Sequence, residues 1–293
     1  MKFKYFADMF LKIGSNEWKK STYSKYSIIV NHKLNFLFGR DIKSIKASEL
    51  RLWFSQNSKI LSGKTLRDYR SCLNQIFLLA KYDDEIKLNP IDFVKNPALI
   101  KPKIQPFSAS EVIQILEISK KYQIKYQIFL KIGFFTGMRT GEILALKKSN
   151  IDLNNRTINI LKSRSRYGEN TPKTFGSIRI IPINDFIYDD LKNYVLNLQS
   201  DYLFINQYGE PYNCVSSFLK YFWKPILKEL NLPYRKLYTM RHTFATNILK
   251  NANLTPYELS KQLGHNSTEM VFNRYVKFIE SENEKFKTDI KIY

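Results

Sequence analysis

The chain has 293 residues, 44% of them hydrophobic, which is enough for one large domain or two ordinary ones that each bury a core without disulfides or metal. No apolar run reaches the length of a membrane span: the best, Tyr126 to Phe135, is short and broken by Lys131. Lys and Arg outnumber Asp and Glu 47 to 26, a net charge of +21, which suits a polyanionic partner such as nucleic acid. The first hundred residues hold 18 basic and 9 acidic side chains, so the excess runs through both halves rather than sitting in a tail. The opening MKFKYFADMF has no long apolar core and no small-residue cleavage site, so a cytoplasmic location is expected. Cys72 and Cys214 are isolated thiols, expected to be small buried groups in a reducing compartment.

In chain order, the first third reads as helices. A short helix is expected around Phe3–Leu11. Tyr23, Tyr26, Val30, Leu34 and Leu37 recur at spacings of three and four across Ser21–Phe38. Ser48–Phe54 is a shorter piece. Leu66, Tyr69, Leu73, Ile76, Phe77 and Ala80 mark one face of Thr65–Tyr82. Together these predict a compact bundle of about four helices over residues 1–97. Ser62-Gly-Lys64-Thr65 resembles the end of a phosphate-binding loop, but Ser58 stands where that motif needs glycine and no apolar strand precedes it, so a helix start is expected.

Residues 98–106 carry prolines and lysines without a helical face and read as a semi-rigid linker. Ser108 and Glu111 form a capping box that opens the second domain, residues 107–293. Helix is expected from Ala109 to Lys147, then short strands over Arg156–Leu161 and Ser177–Ile183, then helix again after Asp185. Thr255-Pro-Tyr-Glu258 starts a helix, and Gly264 is placed to end it in the left-handed conformation. The predicted fold class is mainly α with a small antiparallel β-sheet, in two domains.

Four segments of the second domain stand out: Thr136-Gly-Met-Arg139-Thr-Gly-Glu142; Thr171-Pro-Lys173-Thr-Phe-Gly-Ser-Ile-Arg179; Tyr238-Thr-Met-Arg241-His242; and Leu263-Gly-His265, followed ten residues after the histidine by Tyr275. In this order they resemble the tyrosine recombinase family, which includes the phage integrases and the Xer and Cre recombinases. The N-terminal bundle is similar to that family's core-binding domain in pattern only.

Phosphodiester cleavage builds negative charge on the nonbridging oxygens, and fixed cations aimed there lower the barrier. Arginine suits that task because it is planar, always charged and bidentate toward phosphate. The resemblance implies that Arg139 and Arg241 form the clamp, that Glu142 orients Arg139, and that His265 donates a hydrogen bond to the phosphate. It implies that Lys173, on a turn between strands, protonates the leaving 5′ oxygen, with Lys162 the nearest rival. Tyr275 is the implied nucleophile, with Tyr257 and Tyr293 its nearest competitors. Three residues before the second arginine the family commonly has His, sometimes Lys; this chain has Tyr238, which can bond to phosphate or to the nucleophile but cannot act as a cation or a base near neutral pH. His242 is expected to be structural, bonded to nearby backbone.

The resemblance further implies two domains closing around duplex DNA as a C-shaped clamp, a 3′-phosphotyrosyl intermediate, and no need for ATP, metal or other cofactor. It implies a homotetramer on paired inverted-repeat sites, with room for an accessory or partner recombinase and no membrane partner. The tail after Tyr275, with Val276, Ile279 and Phe286 on one face, is expected to pack on its own domain or dock on a neighbouring protomer. A relaxing enzyme like the type IB topoisomerases and a non-catalytic DNA-binding protein stay open as alternatives.

Overall fold

The computed structural model describes residues 1–99, 103–170, 175–251, 253–276 and 278–279. Lys173 and the expected tail from Glu280 onward, Phe286 included, lie outside the described residues. The chain divides into two compact units, Met1–Pro102 and Lys103–Tyr293. Among the described residues, no helix is long and apolar enough to cross a membrane.

The first unit is a four-helix bundle: α1 (Phe3–Glu17), α2 (Lys20–Lys33), α3 (Ala47–Asn57) and α4 (Gly63–Tyr82). Phe3, Phe6 and Phe10 of α1 and Leu66, Leu73, Ile76 and Phe77 of α4 fill its core. Helix α1 runs longer than its expected span, and α2 stops short of Phe38, giving way at Leu34 to a 3-10 turn over Asn35–Leu37. Ser62 caps α4 by accepting from the Thr65 amide, which makes the glycine–lysine pair that follows a helix start and not a phosphate loop. Arg67 donates to the Pro97 carbonyl and Arg70 to the Val94 and Ile91 carbonyls, pinning residues 91–97 along α4.

The second unit opens with the capped helix α5 (Ala109–Ser119), followed by α6 (Ile124–Thr136) and the short α7 (Thr140–Leu144). The helical stretch expected from Ala109 to Lys147 is built of these three pieces. Helix α6 buries Ile128, Phe129, Leu130, Ile132 and Phe134 in the core of the unit, while Lys125, Gln127 and Lys131 stay outside it and Lys131 pairs with Asp190. Strands β1 (Ile151–Asp152) and β2 (Thr157–Ile160) are followed by a separate hairpin of β3 (Ser163–Ser165) and β4 (Gly168–Asn170), and then by β5 (Arg179–Pro182). The three-stranded sheet has the order β1-β2-β5, antiparallel throughout, with Ile158 opposite Ile181. The β3–β4 hairpin was not expected: it is polar and half-exposed and lacks the apolar alternation that marks a strand.

Helix α8 (Asp185–Asn197) leads to a loop and then to α9 (Ser216–Phe218), a π-helical stretch Leu219–Trp223, and α10 (Lys224–Glu229). Trp223 is fully buried and donates through its indole to the Arg235 carbonyl. Then come α11 (Thr239–Lys250), α12 (Pro256–Leu263), α13 (Glu269–Val271) and a π-helical turn, Phe272–Val276. Thr255 caps α12 with Glu258 completing the box. Cys72 is buried, and burial pushes its thiol up to about 12. Cys214 departs from the buried expectation: it is half-buried, with its thiol on the Ser216 hydroxyl.

Candidate active site

Two glycine-ended helices build the site. Gly137 terminates α6 at φ 66°, and a Cβ there would run into the Phe244 ring. Gly264 terminates α12 at φ 66°, where a Cβ would lie 2.9 Å from Arg179 Nη1 and 3.0 Å from the Gly176 carbonyl. Only glycine meets both demands, the left-handed backbone and the close approach.

These helix ends present carbonyls to the arginines. Arg241 is 1% exposed and donates from Nη1 to Gly137 O (2.9 Å) and from Nη2 to Leu263 O (2.7 Å). Arg139, at the start of α7, donates to Glu142 Oε1 (2.7 Å) and to Gly264 O (3.2 Å). The orphan carbonyls at a helix C-terminus carry partial negative charge, so they suit a guanidinium. Burial lowers the Arg241 guanidinium to about 10, still charged at neutral pH.

Glu142, 1% exposed, accepts from the Arg139 side chain and amide and from both terminal nitrogens of Arg179. Burial alone would raise its carboxyl, but Arg179 and Arg139 outweigh it and hold it below the ordinary value. One buried carboxylate thus faces two guanidiniums, with a third, Arg241, close by, so the site keeps a positive balance.

His265 Nε2 lies 2.9 Å from Arg241 Nη2. Since a guanidinium only donates, Nε2 accepts and the proton sits on Nδ1. Burial, with Arg241 and Arg139 adding to it, lowers this imidazole to about 4. Two buried donors have no hydrogen-bond partner among the described residues here: Arg241 Nε and His265 Nδ1.

Tyr275 is 1% exposed and sits on the π-helical turn, in a small core with Phe244, Leu259, Leu263 and Val271. Its hydroxyl lies 3.0 Å from His242 Nδ1. Burial raises the phenol to about 12, with Arg241 pulling the other way. His242 is lowered to about 4, by burial first and then by Arg274 and Arg241. Tyr238, one turn earlier on the chain, is half-buried with its ring edge-on to His242 at 5.1 Å between centroids.

A family model described as the phage integrase family matches residues 105–281. The chain belongs to the phage integrase family, the tyrosine recombinases. It is 27% identical to an XerC-like tyrosine recombinase of Caldanaerobacter subterraneus subsp. tengcongensis, over 89% of this chain and 75% of that one. Other curated relatives are matched over 64% of their own length. A solved structure of the Tn1549 transposon integrase with a circular intermediate DNA superposes with a TM-score of 0.78 at 24% identity, covering 97% of this chain and 99% of that one. A lambda integrase tetramer bound to a Holliday junction superposes at 0.77 and 15% identity, over 100% of this chain and 81% of that one.

The recombinase brings Arg139, Glu142, Tyr238, Arg241, His265 and Tyr275 together. Lys173 lies outside the described residues. Its rival Lys162 is half-exposed and paired with Glu169 at 2.7 Å, in a cluster that Arg164 and the Tyr202 hydroxyl complete. Among the described residues, no three His, Cys, Asp or Glu side chains gather as a metal site.

Two site residues escaped sequence reasoning. Arg179 lies inside a recognised segment, but its partner Glu142 is 37 residues away, with no local signal of the pairing. His242 corrects the structural expectation: its Nδ1 meets the Tyr275 hydroxyl rather than nearby backbone. Only the folded approach of the Phe272–Val276 turn to α11 creates that contact.

Proposed function

We propose that the recombinase cuts and rejoins duplex DNA at an inverted-repeat site through a 3′-phosphotyrosyl bond to Tyr275. The Tyr275 oxygen attacks the phosphorus and the P–O5′ bond breaks. The energy of the broken bond is kept in the new ester, so rejoining to a partner 5′-hydroxyl needs no ATP. The observation that carries this reading is the Tyr275 hydroxyl lying beside Arg241, where Arg241 Nε and His265 Nδ1 are buried donors without partners among the described residues. A buried unsatisfied donor costs about 1–3 kcal/mol, and a phosphate oxygen would satisfy each of them. Arg139 and Arg241 would stabilise charge on the pentacoordinate phosphorus, Glu142 would orient Arg139, and Tyr238 would line the nucleophile side. Lys173 would protonate the 5′ oxygen.

The likeness to a transposon integrase and to an XerC-like recombinase favours integration and excision of a mobile element, or resolution of the Xer type. The likeness to a lambda integrase tetramer on a Holliday junction favours a homotetramer on paired sites. The helical first unit, with its own excess of basic residues, would act as the core-binding domain on the duplex, and the enzyme would work in the cytoplasm. The test is a nicked suicide substrate carrying the cognate site. A covalent adduct, and exchange between two sites rather than mere relaxation of a supercoiled circle, is the expected outcome. Binding without an adduct would sink the reading.

A further inference from the structure

We propose that His242 is the base for the nucleophile: its Nδ1 takes the phenol proton of Tyr275 during cleavage and returns it during rejoining. The inference rests on the reading of Tyr275 as nucleophile and assigns the step that Tyr238 cannot perform.

Among the described residues, the geometry places one acceptor at the phenol. The hydroxyl lies 3.0 Å from His242 Nδ1, within reach of direct proton transfer. Among the described residues, the charged or titratable neighbours of this pair are Arg241 and Tyr238 from the α11 segment and Arg274 from the turn that carries Tyr275. Arg241 and Arg274 only donate, and a phenol such as Tyr238 is not a base near neutral pH. Glu142 is committed to Arg139 and Arg179. The imidazole is the group that combines a lone pair at the phenol with the capacity to hold a second proton.

The electrostatics fit the timing. Before DNA binds, burial and the two nearby arginines keep His242 neutral, and in the tautomer protonated on Nε2 its Nδ1 lone pair accepts from the phenol. A phosphate seated between Arg139 and Arg241 adds negative charge, which offsets those arginines and makes the imidazolium less costly as the proton moves. In cleavage the Tyr275 O–H bond breaks and the proton goes to Nδ1. The phenol oxygen bonds to phosphorus, and the P–O5′ electron pair leaves on the 5′ oxygen, which is protonated by the acid assigned to Lys173. In rejoining, a 5′-hydroxyl gives its proton back to that acid and its oxygen bonds to phosphorus, while the phenolate leaves and recovers its proton from the imidazolium.

His242→Asn keeps a polar atom near the Nδ1 position and cannot take a proton. Single-turnover cleavage of the nicked substrate at saturating protein should slow by a factor on the order of 10² to 10⁴ at neutral pH, with DNA binding unchanged. The variant's rate should climb with pH as the phenol ionises unaided. A fluorotyrosine at position 275, whose phenol is more acidic, should recover much of the loss; a side chain that only steadied the ring would gain nothing from it. The proposal is overturned if His242→Asn cleaves at the wild-type rate, or if it is slow and fluorotyrosine gives no recovery. If the Asn variant fails to bind DNA, His242→Gln serves in its place. Failure of the underlying reading looks different: the wild-type protein then forms no adduct, or Tyr275→Phe still forms one.

Discussion

Arg179 grips Glu142 through both terminal nitrogens, Nη2 to Oε2 at 2.9 Å and Nη1 to Oε1 at 3.1 Å, while its Nε donates to the Gln262 carbonyl. Glu142 holds Arg139 in turn, so one buried carboxylate joins β5, α7 and the end of α12. Removing one partner of a buried pair leaves the other charge uncompensated. Glu142→Ala should therefore destabilise the second unit by about 3–5 kcal/mol. Denaturant unfolding of the full chain measures it; a change below 1 kcal/mol, about the value of an exposed pair, would show that the network is not coupled to stability.

Tyr275→Phe should bind site DNA normally, since the missing oxygen leaves the apolar packing with Leu263 and Val271 in place. It should form no denaturant-resistant adduct. An adduct from this variant would move the nucleophile to another residue.

Cleavage should survive excess EDTA at fixed ionic strength, because Arg139 and Arg241 already supply fixed positive charge where the transition state needs it. Ionic strength must be matched because salt weakens phosphate contacts by itself. A requirement for Mg²⁺ in the chemical step would contradict the arginine clamp.

Lys173→Ala should slow cleavage by a factor on the order of 10² to 10⁴, since an alkoxide leaves poorly without a proton. A 5′-bridging phosphorothiolate leaves as a thiolate and should restore most of the rate. Lys162 is engaged with Glu169, whose carboxylate raises the Lys162 ammonium above its ordinary value and makes it a weaker acid. Rescue of Lys162→Ala in place of Lys173→Ala would reverse the assignment.

Both site histidines make stability depend on pH. Folded, His242 and His265 are lowered to about 4; unfolded, they return to 6.5. Between these values the unfolded chain binds more protons, so the stability is full above 6.5 and falls as the pH drops toward 4. His242→Gln should shrink that loss. Equal acid sensitivity in thermal unfolding of the wild type and the variant would show that His242 is not held neutral by the fold.

The local sequence determined what is built from hydrogen bonds three and four residues long and from helical periodicity: the capped starts of α4, α5 and α12, the left-handed stop at Gly264, and the apolar face of α4. The order of the four motifs likewise carried the family and most of the candidate site proposed here, because each motif is local. Tertiary structure decided the rest. The β3–β4 hairpin is polar and folds against α7, so no alternation announced it. The Arg179–Glu142 and His242–Tyr275 contacts join residues 37 and 33 positions apart. Whether a histidine bonds backbone or a phenol, and whether an arginine sits in water or on a buried carboxylate, depends on which distant element packs over it. Burial then sets the chemistry, because only in a dehydrated site do these neighbours hold imidazoles neutral and a carboxylate charged.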